Sequence, residues 1–226
     1  MYENKKIGFL FVLPFVLGVI GFKLFPFVMS LALSFTQYDI INPPEFIGLD
    51  NYKELAAHDL LFRKSLGVTL LFVAISVPLR VGFALFVAHV LNFKLRGINF
   101  FRSAYYLPSI LGGSIAAAVM WRFIFSQNGL VNIVLMKFGI EPIAWLADEH
   151  YAIWTVILLF TWQFGSAMVI FLAALQNVPT SLYEAAEIDG ASKWQQFFKI
   201  TVPLITPVIF FNMIMQMVHA FQEFNG

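Results

Sequence analysis

The sequence predicts an all-α membrane protein, a polytopic helical bundle in which five spans are visible. Of its residues 60% are hydrophobic and only 12% are charged, whereas soluble domains carry roughly 25% charged residues. The mean hydropathy is +0.80, and apolar segments of about 20 residues, the length that a spanning helix needs, recur along the chain. Long apolar runs, unlike short alternating ones, favour helices over a β-barrel.

The five apolar segments lie at about residues 7–35, 65–91, 103–125, 152–175 and 202–224. The first follows Lys5 and Lys6 and therefore has the charge pattern of a secretory signal peptide. A signal peptide has an apolar core of only about 7 to 15 residues, however, and this run continues to Phe35. We interpret it as the first span.

The basic residues predict that the N-terminus is cytoplasmic, because cytoplasmic loops carry an excess of Lys and Arg. This orientation places on the inside Lys5, Lys6, Lys94, Arg96, Arg102, Lys193 and Lys199. The opposite loops, at about residues 36–62 and 126–151, are mainly acidic, although Arg63, Lys64 and Arg122 lie near the outer boundary. The dispersed basic residues and the net charge of +1 give no surface for nucleic acid, and the absence of cysteine excludes thiol catalysis.

A charged segment broken by glycine, residues 184–207, lies between the fourth and fifth spans. Residues 182–188 are rich in helix formers, Asp189 and Gly190 form a turn pair, and Ser192 is suited to cap a second short helix. The pattern predicts helix, turn, helix. Ala185 and Ala186 make the first helix thin enough to enter a groove. The alternative is a solvated loop that only connects two spans.

This segment resembles the EAA loop of membrane subunits in binding-protein-dependent ABC importers. The resemblance lies in Glu184, Ala185, Ala186, Asp189, Gly190, Ala191, Ile200, Pro203, Leu204 and Pro207. It implies a cytoplasmic element that docks on a separate ATPase. The predicted docking residues are Glu184, Ala185, Ala186, Asp189, Gly190, Ala191, Phe197 and Ile200.

Other segments resemble the permeases of carbohydrate uptake, of the maltose and glycerol-phosphate type. They are residues 46–52, residues 95–102 with Leu107-Pro108 and Trp121-Arg122, and residues 170–176 with Pro179 and Leu182-Tyr183. The resemblance implies a single transmembrane permease domain over residues 1–226. It also implies six spans, so the chain is expected to be a fragment or to lack its last helix, which would leave the translocation path without one wall.

Polar residues inside the spans are candidates for the substrate path, because they are costly in lipid and face a cavity or another helix. Spacings of four, three and four residues predict one helical face for Asn212, Gln216, His219 and Glu223. Trp162, Gln163 and Ser166 lie at matching depth in the fourth span, and the resemblance implies that substrate binds between these two spans. An equally open interpretation is that these residues hydrogen-bond one helix to another. Arg80, deep in the second span, is expected to pair with a counter-charge such as Glu223 or to face water.

The resemblance implies the transmembrane subunit of an ATP-driven importer for a sugar or sugar-like solute in the bacterial plasma (inner) membrane. No catalytic residue, metal or cofactor is expected, since the chain has no Gly-Lys pair and hence no phosphate loop. The expected partners are ABC ATPase subunits, which use the ATP, a second permease subunit, an extracytoplasmic solute-binding protein and the lipid bilayer. The alternatives are an ion-coupled secondary transporter and a membrane subunit without transport activity.

Overall fold

The structure, a computed structural model, describes residues 5–93 and 97–223. Lys94 and Arg96, and the side chains of Lys5 and Lys6, on which part of the predicted orientation depends, lie outside the described residues. The chain divides into two compact units, residues 1–66 and 67–226. Among the described residues three helices are long and apolar enough to cross a membrane, or up to five if each of two bent helix pairs is one span. The five predicted spans correspond to these five helical segments.

In the first unit, helices α1 (Lys5–Val19) and α2 (Phe25–Leu33) are joined by a π turn, Ile20–Leu24. No residue of α2 or of the π turn is buried, so their apolar side chains are free to contact lipid or another subunit. A two-stranded antiparallel hairpin follows, with β1 (Thr36–Gln37) paired to β2 (Glu45–Phe46). Helix α3 (Asp50–Ala57) is fixed to the end of α2 because Asn51 Nδ2 donates to the carbonyls of Ser34 and Thr36, at 2.9 and 3.0 Å.

The core of the second unit is built around α4 (Leu60–Leu91), a helix of 32 residues. Its buried residues from Val73 to Leu91 recur at intervals of three and four, which places them on one face. That face packs on α8 (Glu149–Trp162) and α9 (Gly165–Gln176), which contribute Phe160, Met168 and Phe171 to the core.

Two helix pairs are bent, and one of them contains the predicted third span, residues 103–125. Helices α5 (Ile98–Leu111) and α6 (Ile115–Ile124) meet at 100°, and α8 and α9 meet at 43°. Between α5 and α6 lie Gly112 and Gly113, followed by Ser114, whose side chain accepts from the backbone N–H of Ala117 and begins a new helix. Two glycines next to an N-cap serine favour a break, which hydropathy alone does not reveal.

The predicted outer loop at residues 126–151 contains a short helix, α7 (Leu130–Lys137), and is organised by one buried amide. Asn132 is 0% exposed. Its Nδ2 donates to the carbonyls of Gln127 and Ile143, at 3.0 and 2.9 Å. Its Oδ1 accepts from the backbone N–H of Ile143 and from Trp145 Nε1, both at 3.0 Å. One side chain therefore replaces the regular backbone hydrogen bonds that this loop lacks.

The C-terminal part consists of α10 (Thr180–Ile188), α11 (Lys193–Gln196), a π turn (Phe197–Thr201) and α12 (Val202–Phe221). The predicted helix, turn, helix is confirmed, but the second helix is not a separate short one. It is the beginning of a continuous helix, Lys193–Phe221, of 29 residues.

Both π turns precede a proline, Pro26 in α2 and Pro203 in α12. A proline in a helix cannot donate to the carbonyl four residues earlier, and its ring clashes with that carbonyl. In each case the residue before the proline donates five residues back instead, from Phe25 to Ile20 and from Val202 to Phe197. The wider turn makes room for the proline ring, so the apolar helix continues through it.

Candidate docking segment and candidate solute path

The turn between α10 and α11 has a defined backbone geometry. Gly190 has φ +73°, a conformation that L side chains rarely adopt. The backbone N–H of Ala191 donates to Ala186, at 2.8 Å, and that of Gly190 donates to Glu187, at 3.1 Å. These two hydrogen bonds form a Schellman motif, which satisfies the last carbonyls of α10. The predicted role of Gly190 in ending the first helix is therefore confirmed.

The second helix begins with a capping box at Ser192. The Ser192 hydroxyl accepts from the backbone N–H of Gln195, and the Gln195 side chain accepts from the backbone N–H of Ser192. Lys193 forms an ion pair with Glu187, which joins α11 to α10 across the turn. The side chain of Gln196, 3% exposed, donates to the carbonyl of Ala191 at 3.2 Å. The segment is thus folded by its own contacts.

Half of the predicted docking residues lie on the outside of this segment. Glu184, Ala185, Asp189 and Gly190 are exposed, while Ala186, Ala191, Phe197 and Ile200 are half-buried. Phe197 turns inward, with its ring 4.5 Å from that of His89.

Three large exposed side chains were not among the predicted docking residues. They are Ile188, which is 88% exposed, Trp194, which is 73% exposed, and Phe198, which is 60% exposed. The signal in the sequence was three large apolar residues within a charged segment that was predicted to be a helix-turn-helix outside the spans.

A cavity of about 270 Å³ lies behind the docking segment. Its lining comes from the C-terminal end of α4, from α10 and from the start of the last helix, and consists of His89, Asn92, Phe93, Tyr183, Lys193, Gln196, Phe197 and Thr201. Across it the Tyr183 and Thr201 hydroxyls are hydrogen-bonded at 2.7 Å. The segment is therefore attached to α12 by a side-chain hydrogen bond as well as by the backbone.

The path candidates of the fourth span lie at the break between α8 and α9. Trp162 is the last residue of α8, Gln163 is its C-cap, and Ser166 lies in the first turn of α9. All three side chains are half-buried. The Trp162 ring lies 5.9 Å from that of Trp121, whose Nε1 donates to the carbonyl of Thr155 at 3.0 Å. The structure therefore brings these three residues together, next to the bend of the third span.

The predicted polar face of the fifth span divides into two parts. Asn212 and Gln216 are buried, at 0% and 4% exposed, and the buried stripe continues to Ala220. His219 is exposed, and Glu223 is exposed and lies beyond Gln222, the C-cap of α12. Asn212, Gln216 and His219 lie within α12, where their spacing keeps them on one side of the helix, but only Asn212 and Gln216 are buried. The prediction that Glu223 shares this face is wrong, because the helix ends before it.

Arg80 is buried, at 7% exposed, in the middle of α4. One Nη donates to the carbonyl of Gln163, and the guanidinium lies over the ring of Phe160, 4.2 Å from its centroid. The predicted counter-charge is not found: within the described residues Arg80 forms no ion pair, and its hydrogen-bonded partner is a backbone carbonyl.

Comparison with known families identifies the chain from its sequence. Residues 62–225 match the family model of the binding-protein-dependent transport system inner membrane component. The chain belongs to this family. It is therefore a multi-pass membrane component of a transport system, and the resemblance to carbohydrate-uptake permeases is confirmed by its relatives.

Two relatives illustrate the similarity. The chain is 50% identical over 224 residues to the probable ABC transporter permease protein YesP of Bacillus subtilis (strain 168), covering 99% of this chain and 72% of the relative. It is 37% identical over 223 residues to the lactose transport system permease protein LacF of Rhizobium radiobacter, covering 96% of this chain and 74% of that protein.

A solved structure supports the fold. The crystal structure of a bacterial ABC transporter involved in the import of the acidic polysaccharide alginate contains a chain that superposes with a TM-score of 0.79 at 24% identity. The match covers 97% of this chain and 75% of that chain. The helical bundle is thus the fold of an ABC importer permease.

Proposed function

We propose that this protein is the transmembrane subunit of an ATP-driven importer for a sugar or sugar-like solute. The observation that supports it most strongly is the docking segment, residues 184–200. It is a helix-turn-helix held together by hydrogen bonds and an ion pair within the segment, and it exposes Glu184, Ala185 and Asp189. The chain that carries it is a member of the inner membrane component family. The names of relatives at 33% to 37% identity include lactose and arabinooligosaccharide transport and, as a probable role, transport of starch degradation products. A carbohydrate substrate is therefore our proposal for this chain.

The docking segment is proposed to bind an ABC ATPase subunit in the cytoplasm. An exposed isoleucine at the end of α10, Ile188, and an exposed tryptophan at the start of α11, Trp194, flank the Gly190 turn. Exposed apolar side chains with a polar rim are typical of protein interfaces. Ile188 would enter an apolar groove of the partner, and Glu184 would contact the groove's rim. With this segment inside, the N-terminus is also cytoplasmic, as the basic residues predict.

The translocation path is proposed to pass the break of the fourth span and the polar stripe of the fifth. Asn212 Oδ1 and Gln216 Oε1 are buried and have no hydrogen-bond partner in the part of the chain that the structure describes. Such acceptors are costly unless a partner, water or solute reaches them. Amide acceptors suit the hydroxyl groups of a sugar. His219 and Glu223 remain candidates for the path only where α12 ends. A second permease subunit would supply the opposite wall, and an extracytoplasmic solute-binding protein would deliver the solute.

The alternative of an ion-coupled secondary transporter depended on a carboxylate inside a span. Glu223, the carboxylate predicted in the fifth span, lies past the end of α12. We therefore favour a division of labour in which a partner subunit hydrolyses ATP and this chain forms the path.

The test is co-purification of the native chain from membranes, with identification of the proteins that it retains. Gly190→Pro removes a backbone N–H that closes the Schellman motif and requires a negative φ where the native value is +73°. Glu184→Lys reverses a charge, and Ile188→Asp removes the exposed apolar side chain. We expect each variant to lose the ATPase subunit that the native chain retains.

The matched control is Ile41→Asp, which makes the same change at an isoleucine that is 90% exposed in the predicted outer loop. It is expected to retain the ATPase. Native chain that retains no ATPase would contradict the proposal. For the substrate class, the complex in liposomes would be supplied with ATP, a solute-binding protein and, in turn, lactose, maltose and an arabino-oligosaccharide. If none of the three solutes is taken up, the proposal of a carbohydrate substrate is contradicted.

A further inference from the structure

The breaks of the third and fourth spans are joined to each other by side-chain hydrogen bonds. Ser109 Oγ, from α5, donates to the carbonyl of Gln163 at 2.9 Å and accepts from the backbone N–H of Ser166 at 2.9 Å. Gln163 Nε2 donates in return to the carbonyl of Gly112, at 3.3 Å. Each break leaves backbone groups without their helical partners, and these contacts satisfy them. We call this group of contacts the joint.

The joint depends on close approach of the two helix pairs. A Cβ atom added at Gly165 would lie 2.5 Å from the carbonyl oxygen of Tyr105 and 2.8 Å from Ser109 Oγ. A Cβ added at Gly112 would lie 2.2 Å from the Gln163 side chain. Gly165 must therefore be glycine for the two breaks to lie so close, whereas at Gly112 the Gln163 side chain would have to move. The joint is thus a specific arrangement of four neighbouring helices, α5 and α6 of the third span and α8 and α9 of the fourth.

Arg80 is the charged member of the joint. Its Nη donates to the same Gln163 carbonyl that accepts from Ser109, so both lone pairs of this oxygen are occupied. Gln163 is the C-cap of α8, and the C-terminal end of a helix carries partial negative charge. The guanidinium is thus placed where a positive charge is favoured, and Phe160, in the last turn of the same helix, lies under it.

Within the described residues Arg80 has no ion pair, and its Nε has no hydrogen-bond partner. The directed contacts of this buried charge therefore all go to the end of α8. A charge held in this way is suited to fix the direction in which α9 continues after the break.

We propose that Arg80 is a positioning residue that fixes the 43° break of the fourth span through the Gln163 carbonyl. It thereby sets the orientation of Trp162, Gln163 and Ser166 toward the solute path. The effect on the solute path rests on the proposed function, since these three side chains are the proposed path residues. Its structural content, the fixed break, is independent of that function.

Pulsed electron-electron resonance of the full chain in lipid nanodiscs tests the fixed break directly. The sequence contains no cysteine, so Tyr151→Cys with Ile170→Cys provides two unique positions for nitroxide labels. They lie on α8 and α9, are 40% and 39% exposed, and are separated by about 28 Å along a straight helix at 1.5 Å per residue. The native chain should give one narrow distance distribution.

We expect Arg80→Met to broaden this distribution, because methionine removes the donor and the charge but keeps an unbranched side chain. Arg80→Gln supplies an amide donor for the Gln163 carbonyl and should broaden it less. The matched control is Arg122→Gln, which removes an exposed arginine from α6 and should match the native chain. Ser109→Ala, which keeps Arg80 but removes the second donor, should also broaden the distribution. If Arg80→Met does not fold, Ser109→Ala and Arg80→Gln carry the test. A distribution unchanged in Arg80→Met, or unchanged in both Arg80→Gln and Ser109→Ala where Arg80→Met does not fold, overturns the proposal.

The functional arm uses whichever of lactose, maltose and arabino-oligosaccharide the native complex transports. Arg80→Gln should raise the KM of uptake between about twofold and tenfold, the range expected for one weakened hydrogen bond, while the ATPase subunit remains bound. A purely structural role would lower the amount of complex and leave KM unchanged, which would overturn the link to the path. Absence of uptake by the native complex would refute the proposed function and leave the distance measurement valid.

Discussion

Gly165→Ala is the substitution that tests the packing at the break most strictly. The added Cβ would meet the Tyr105 carbonyl oxygen at 2.5 Å, Ser109 Oγ at 2.8 Å and Tyr106 Cα at 2.8 Å. Two of these three atoms belong to the backbone of α5, so no side-chain rotation relieves the contact. Helices α5 and α9 must separate, and they pack directly on each other.

The expected cost combines two effects. Overpacking a well-packed core costs typically about 1 to 3 kcal/mol. Separation of α5 from α9 also weakens the hydrogen bonds of Ser109 to Gln163 and Ser166, at about 0.5 to 1.5 kcal/mol each. We expect a total loss of about 2 to 6 kcal/mol, which is a large part of the stability of a typical domain.

The assay is thermal unfolding of the isolated chain in detergent micelles, followed by tryptophan fluorescence. Gly82→Ala is the matched control, because Gly82 lies exposed inside α4 and an added Cβ meets nothing within 4 Å. Alanine in a helix interior is favoured over glycine by roughly 0.5 to 1 kcal/mol, so the control should unfold at or above the native temperature. Gly112→Ala should fall between the two, since its clash is with the flexible Gln163 side chain. Equal midpoints for Gly165→Ala and Gly82→Ala would refute the packing described here.

Two further predictions concern the loops. Asn132→Leu leaves the Ile143 N–H and Trp145 Nε1 without their acceptor, at about 1 to 3 kcal/mol for each group that stays buried. It should therefore lower the unfolding midpoint, whereas the exposed Asn128→Leu should not. Lys193, by its hydrogen bond and its charge, lowers the pKa of Glu187 below the usual 4.5. The ion pair therefore stabilises the docking segment above about pH 4.5 and is lost as the pH falls through the lowered pKa. Hydrogen exchange at residues 184–196, corrected for intrinsic rates, should quicken on acidification in the native chain but not in Glu187→Gln.

The docking segment could be predicted almost completely from its sequence because its structure is local. Gly190, Ser192 and the helix formers before them act through backbone bonds within a few residues, and these rules hold in any fold. The five apolar segments could also be predicted from the sequence, since the thickness of the bilayer sets their length. What failed locally was the end of the second helix. Its start was predicted correctly, but it was expected to be a short helix separate from the fifth span, whereas the π turn at residues 197–201 continues the helix through Pro203.

The arrangement at the breaks could not be predicted because it depends on contacts between distant residues. Arg80 and Gln163 are 83 positions apart, and Ser109 and Gln163 are 54 apart. No periodicity connects them. Gly112-Gly113 was a local signal for a bend that hydropathy concealed, and Gln163 was selected only as a polar residue in a span. The face assigned to Glu223 failed because spacing fixes direction only while the helix lasts, and α12 ends at Phe221.

The docking segment and the joint are connected by one short helix. α9 begins at Gly165, next to the break, and ends at Gln176, and only residues 177–179 separate it from α10. Its 12 residues span about 18 Å, and it packs on α12, the helix on the other side of the docking segment. A partner that moves α10 therefore acts on α9 through the backbone, and on α12 through the hydrogen bond between Tyr183 and Thr201. For that movement to change the solute path, α9 must pivot about a fixed point at its N-terminal end, next to the break. A buried arginine on the last carbonyl of α8 provides such a fixed point, which gives a physical reason for a charge in the middle of a membrane span.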